Sequence, residues 1–152
     1  MKRLLLTVAA ALLAIATLVP AGFSQGFNSQ DAIGTWTFFV KIAGAPPCQC
    51  IQLARFRADG TAEGPANDHF SGAALGEWKK TGFREATFTL LQNNIDKDGN
   101  AAGLYVIKGV MNIAAEADKT SGTSKFQMLD SNGAVVFTGT ATFTANKLIV
   151  GQ

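Results

Sequence analysis

The chain has 152 residues, with 13 Lys and Arg against 11 Asp and Glu, a formal net charge of +2 and 47% hydrophobic residues. That length makes one domain with room for one core. Beyond Lys2 and Arg3, only Lys79-Lys80 and the pair Arg55 and Arg57 come close to a basic cluster, and both are diluted by neutral neighbours. This argues against nucleic acid as a partner, because such binders carry a basic excess clustered on one face.

Lys2 and Arg3 precede an almost unbroken apolar run over residues 4–19, followed by Pro20, Ala21 and a polar, Gly-containing segment. This is the pattern of a secretory signal peptide. The run is shorter than the roughly 20 apolar residues of a membrane helix, and small residues at Ala21, Gly22 and Ser24 fit cleavage after Ala21 or Ser24. Residues 1–24 are therefore expected to be a leader and 25–152 a single domain, secreted or periplasmic. No Cys stands at the cleavage site, which argues against a lipid anchor, and no second apolar run predicts a membrane span. Loss of Lys2 and Arg3 lowers the basic count from 13 to 11, equal to the 11 acids, so the exported domain is expected to be neutral.

Residues 26–33 are polar with a candidate cap at Ser29, enough for one short N-terminal helical turn. The first strand follows over 35–42, where strict alternation sets Trp36, Phe38, Val40 and Ile42 on one face and Thr35, Thr37 and Lys41 on the other. Phe39 breaks the polar side. Similar segments rich in Thr, Val, Ile and Phe occupy 51–57, 61–63, 74–80, 85–91, 103–114, 124–129, 135–143 and 147–150, as suits a pleated, half-buried surface. Short turn signals punctuate them at Asp59-Gly60, Thr81-Gly82, Asp98-Gly99, Ser121-Gly122 and Asn132-Gly133. Turns this short join antiparallel neighbours, and no long segment of helical period offers the crossover that parallel pairing needs. The expected fold class is all-β: an antiparallel up-and-down barrel of about eight strands.

Four motifs raise chemical questions. Cys48 and Cys50 are the only cysteines, and export would bring them to an oxidising compartment. Residues two apart in an extended chain point the same way, so a bond between them would close a strained ring. Bonds to a second chain, which would give a homodimer, inert thiols and a two-thiolate site for a soft metal remain the other options. His69 stands beside Asp68 in the turn-rich segment 64–72. No Ser-centred elbow or metal-binding His spacing accompanies the pair, so a rim-loop histidine is the reading.

In Glu77-Trp78-Lys79-Lys80 and the following 81–85, charged residues alternate with aromatic ones across a tight turn, the pattern of a solvated outer face. Asp96-Lys97-Asp98-Gly99-Asn100 matches positions 1, 3 and 5 of a calcium-binding EF-hand loop. Position 6 is Ala101 where a Gly is needed, and position 12 is Ile107 where a Glu is needed. Hairpin chemistry accounts for every residue of the segment, which is read as a turn.

Gly34-Thr35-Trp36, opening the first strand of an antiparallel meander, resembles the Gly-x-Trp start of the calycins: lipocalins, fatty-acid-binding proteins and avidins. The resemblance implies that Trp36 closes one end of the barrel. Lipocalins also pack an Arg from the end of the last strands over that Trp, where this chain has only Lys147. Avidins carry further biotin-contacting Trp residues in later strands, and Trp78 is the only other Trp, so biotin is not implied. The segment 76–82, with the repeated Asp-Gly turns, is similar to small secreted bacterial barrels of unassigned function.

The function expected from this resemblance is binding of a small apolar molecule inside the barrel, since eight strands leave an interior that side chains fill or that holds one small ligand. Trp36, Phe38, Val40, Phe56, Phe88, Val106 and Phe137 are the inward positions expected to contact it, although Leu104 and Val106 compete with Tyr105 and Ile107 for the interior face. No catalytic residue, metal or cofactor is expected. The alternatives are an enzyme that shapes an apolar substrate, as allene oxide cyclase and dirigent barrels do, and a filled barrel that acts through its surface.

Overall fold

The computed structural model describes residues 31–46, 50–66 and 71–149. The expected leader, Cys48 and the Asp68-His69 pair lie outside the described residues. So does most of the expected N-terminal helical turn, of which Asp31 and Ala32 are seen in turn conformation.

Eight antiparallel strands follow in chain order: β1 (Gly34–Ile42), β2 (Cys50–Phe56), β3 (Thr61–Gly64), β4 (Ser71–Gly82), β5 (Glu85–Ile95), β6 (Ala101–Ile113), β7 (Lys119–Leu129) and β8 (Val135–Lys147). Each pairs with the next, and β8 returns to β1 from Trp36↔Lys147 to Ile42↔Ala141, closing the barrel. Closure gives every strand a neighbour on both sides, although β2 meets the short β3 only at Arg55 and Phe56. The fold is thus the all-β up-and-down barrel that the meander of short turns implied.

Two expectations about its parts need correction. No separate strand starts at Lys147, because β8 runs unbroken to it and still pairs it with Trp36, and Leu148 and Ile149 are not in a strand; Val150 lies outside the described residues. Ser121-Gly122 is not a turn. Gly122 lies within β7 opposite Met111 and Phe143, and the β6–β7 turn falls earlier, where Ala117 adopts a φ of 59°. Glycine is required at 122 for space: a methyl there would collide with the Val110 carbonyl oxygen and the Phe143 ring. The same device recurs at Gly109 under Phe88 and Gly139 under Phe126, in each case the residue directly across the ladder. Aromatic rings that cover interior glycines pin register and let strands coil tightly.

The turns at Gly60, Gly99 and Gly133 carry the chemistry their residues foretold, whereas Thr81-Gly82 ends β4 and the β4–β5 turn falls at Phe83-Arg84, with Arg84 at φ 55°. In 96–100, Asp96 Oδ1 accepts hydrogen bonds from the backbone N–H groups of Asp98 and Asn100, both at 2.9 Å. Gly99 takes the left-handed conformation at φ 85°. These bonds, Asn100's foremost, hold the Asp96 carboxyl below its ordinary range. The carboxylate resembling a calcium ligand is thus a cap for its own turn. Asp130 repeats the arrangement with Asn132 and Ala134, and Gly133 has φ 82°. In 77–80 the alternation separates a core residue from a surface: Glu77, Lys79 and Lys80 are exposed, while Trp78 turns inward.

One end of the barrel is solid. Trp36 has no exposed surface, and its indole N–H donates to the Ala32 carbonyl at 2.9 Å. Lys147 Nζ lies 5.6 Å from the Trp36 ring centroid and donates to the Asp31 carbonyl at 3.1 Å. Lys147 thereby lies over the tryptophan that opens β1. Gly34 makes room for it, since a methyl there would stand 2.7 Å from Lys147 Cε. Trp78, Ala86, Met111, Ile113, Thr120 and Ala145 fill the rest of this end.

Candidate functional site

Above the solid end four phenylalanines from four strands form a floor. Phe38 stands 5.1 Å from Phe143, 6.3 Å from Phe56 and 6.4 Å from Phe88 between ring centroids, and Phe88 stands 5.9 Å from Phe56. Tilted and edge-on contacts at these spacings are the favoured arrangement of aromatic rings. They follow from alternation, because each Phe occupies the inward phase of its strand.

Beyond this floor the barrel is hollow. A cavity of about 480 Å³ extends toward the end that carries Ala45, Ser71 and Phe137. Its walls are mainly apolar: Val40 and Ile42 from β1, Leu90 from β5, Ile107 from β6, Phe126 from β7 and Ala141 from β8. Among the described lining residues none is charged. The polar groups are Gln52, Ser71, Gln92, Tyr105 and Ser124. Gln92 is 5% exposed and its Nε2 donates to the Gly72 carbonyl at 3.0 Å, which fixes the amide against β4.

Of the residues expected to contact a ligand, Phe38, Val40, Phe56, Phe88 and Phe137 line this cavity. Phe137 sits near its mouth, 52% exposed and 5.8 Å from Phe126. Trp36 points inward but lies within the solid end and is not part of the lining. Val106 is a correction: it faces outward, beside Lys108 and Val110, and Tyr105 and Ile107 take the interior. The reason lies farther along β6. The phase that holds Val106 also holds Lys108 and Asn112, whereas the opposite phase is uncharged from Tyr105 to Ile113. A longer alternation window would have found this. Leu90, Gln92, Ser124, Phe126, Ala141 and Phe143 were missed, although the Thr-rich outer phase of β8 marks Ala141 and Phe143 as interior.

Cys50 pairs with Val40 across the β1–β2 ladder but is not among the residues that line the hollow. Cys50 is half-buried at the start of β2 and is disulfide-bonded. The groups with displaced pKa values are also remote, at the turns. Arg57 is held charged by its hydrogen bond to Glu63 at 2.6 Å, and the Asp59 carboxyl is lowered by Thr61. Compared with known proteins, the chain matches no protein-family model, no curated protein and no solved structure.

Proposed function

We propose that the protein is exported and holds one small apolar molecule inside the barrel, in the manner of the calycins it resembles. The observation that carries the reading is the cavity: about 480 Å³ over an aromatic floor, with mainly apolar walls. Small-molecule sites are typically concave, mostly apolar spaces of about 300–1,000 Å³ with a few placed polar groups. The stacking of Lys147 on Trp36 adds support, since a basic residue over the first-strand Trp is the calycin arrangement, here with Lys for Arg. Export rests on residues 1–24 and on the oxidised Cys50.

Titration with N-phenyl-1-naphthylamine, a neutral fluorescent probe, tests the reading. Saturable binding in the micromolar range, about −8 kcal/mol, is expected, with energy transfer from the tryptophans below the floor. Ala141→Leu, which places bulk in the hollow, should weaken binding with circular dichroism unchanged. Phe38→Glu should abolish it where the variant folds, because the charge would enter an apolar site. Folded protein that shows no saturable binding would defeat the proposal.

A further inference from the structure

The chemistry of the lining narrows the class of ligand, an inference that rests on the proposed binding role. Polar groups enclosed in a protein are normally hydrogen-bonded. An enclosed donor or acceptor left without a partner costs about 1–3 kcal/mol. In this hollow Gln92 spends its N–H on Gly72, and its side-chain oxygen has no partner among the described residues. Tyr105 faces Gln92 directly across the β5–β6 ladder. Ser124, 9% exposed, lies on β7, and Gln52 lies on β2. No side-chain hydrogen bond joins Gln52, Tyr105 or Ser124 to any described residue, and none of their polar atoms is a fully buried one without a partner. The hollow thus presents donors and acceptors, with no cation among its described walls.

We infer that the ligand is an uncharged amphipathic molecule, an apolar body bearing a hydroxyl, carbonyl or amide group that pairs with Gln52, Gln92, Tyr105 or Ser124. A fatty acid is the excluded contrast. Among the described walls its ionised carboxylate would surrender water and meet only neutral dipoles, and a buried charge without a counter-charge is strongly disfavoured. A hydroxyl on the same chain needs only the hydrogen bonds that the lining offers.

The test is competition at pH 8 against N-phenyl-1-naphthylamine, so that only occupants of the cavity register. Decan-1-ol and decanoate share a chain length and differ in the head group. Decan-1-ol is expected to displace the probe at least about tenfold more effectively than decanoate, a difference of about 1.4 kcal/mol. The double variant Gln52→Leu/Ser124→Ala, which breaks no hydrogen bond among the described residues, should weaken decan-1-ol about three- to tenfold more than it changes the affinity of the apolar-bodied probe, measured separately for parent and variant. Equal or tighter binding of decanoate would overturn the inference while leaving the cavity reading intact. An unchanged alcohol affinity in the double variant would remove Gln52 and Ser124 from the assigned polar contacts. Failure of the probe to bind would instead defeat the cavity reading.

Discussion

Gly109→Ala puts the packing of the barrel floor under direct strain. Gly109 faces the interior from the middle of β6, and the Phe88 ring lies over it from β5. A methyl at this position would stand 2.6 and 2.9 Å from Phe88 Cε1 and Cε2, and closer still to Cζ. Carbon atoms settle at about 3.5–4.0 Å, so the ring must retreat by about 1 Å. Phe38, Phe56 and Phe143 surround it with centroids 5.9–6.4 Å away, which leaves the cavity as the open direction. Overpacking of this kind costs about 1–3 kcal/mol, while Ala in place of Gly within a strand returns about 0.5–1 kcal/mol. The net expectation is a loss of about 0.5–2 kcal/mol in urea unfolding followed by tryptophan fluorescence, with an unchanged denaturant slope. Probe affinity should fall as well, since the displaced ring enters the hollow. A variant as stable as the parent, with undiminished probe binding, would show that Phe88 does not rest on Gly109.

Ala117→Gly should stabilise the protein by about 0.5–1 kcal/mol in the same assay, because a side chain at φ 59° carries a left-handed penalty that exceeds the entropic cost of glycine. Asp96→Ala should lower stability at neutral pH, equally with calcium and with chelator. Because folding depresses this carboxyl, its stabilisation is present above the ordinary carboxylate range and fades as pH falls through the lowered folded value. The gap between parent and variant should therefore close in acid, and a gap that widened there would contradict the turn assignment. Lys147→Ala should cost about 1–2 kcal/mol and alter Trp36 fluorescence, whereas Lys147→Arg should retain most of the stacking. N-terminal sequencing of the protein from an extracytoplasmic fraction should begin at Gly22 or Gln25, and an intact Met1 would contradict the proposed export.

The fold was legible wherever a local rule decided it. Asp-Gly and Asn-Gly turns bounded most strands, and the clean alternation from Trp36 to Ile42 gave β1 its inward face. The reading failed where two rules competed. Gly122 has the composition of a turn, but its glycine answers a neighbour distant in sequence, the Phe143 ring, which local pattern does not reveal. Val106 was placed inward because both faces of residues 104–107 are apolar, and only Lys108 and Asn112 break the tie. The hollow was not legible at all. Whether Phe38, Phe56, Phe88 and Phe143 plug the whole interior or only its lower half depends on strand stagger and ring orientation, which emerge on closure of β8 against β1.

The central claim, that binding occurs inside the barrel, is tested most directly by following the methyl resonances of the folded protein while N-phenyl-1-naphthylamine is added. Val40, Leu90 and Ile107 line the cavity, whereas Leu75 and Leu91 stand 66% and 44% exposed on the outer face, on the same side of the wall as Val106. The account predicts saturable shifts at Val40, Leu90 and Ile107 with Leu75, Leu91 and Val106 undisturbed. Shifts confined to Leu75, Leu91 and Val106 would contradict it and place binding on the outer surface of the barrel.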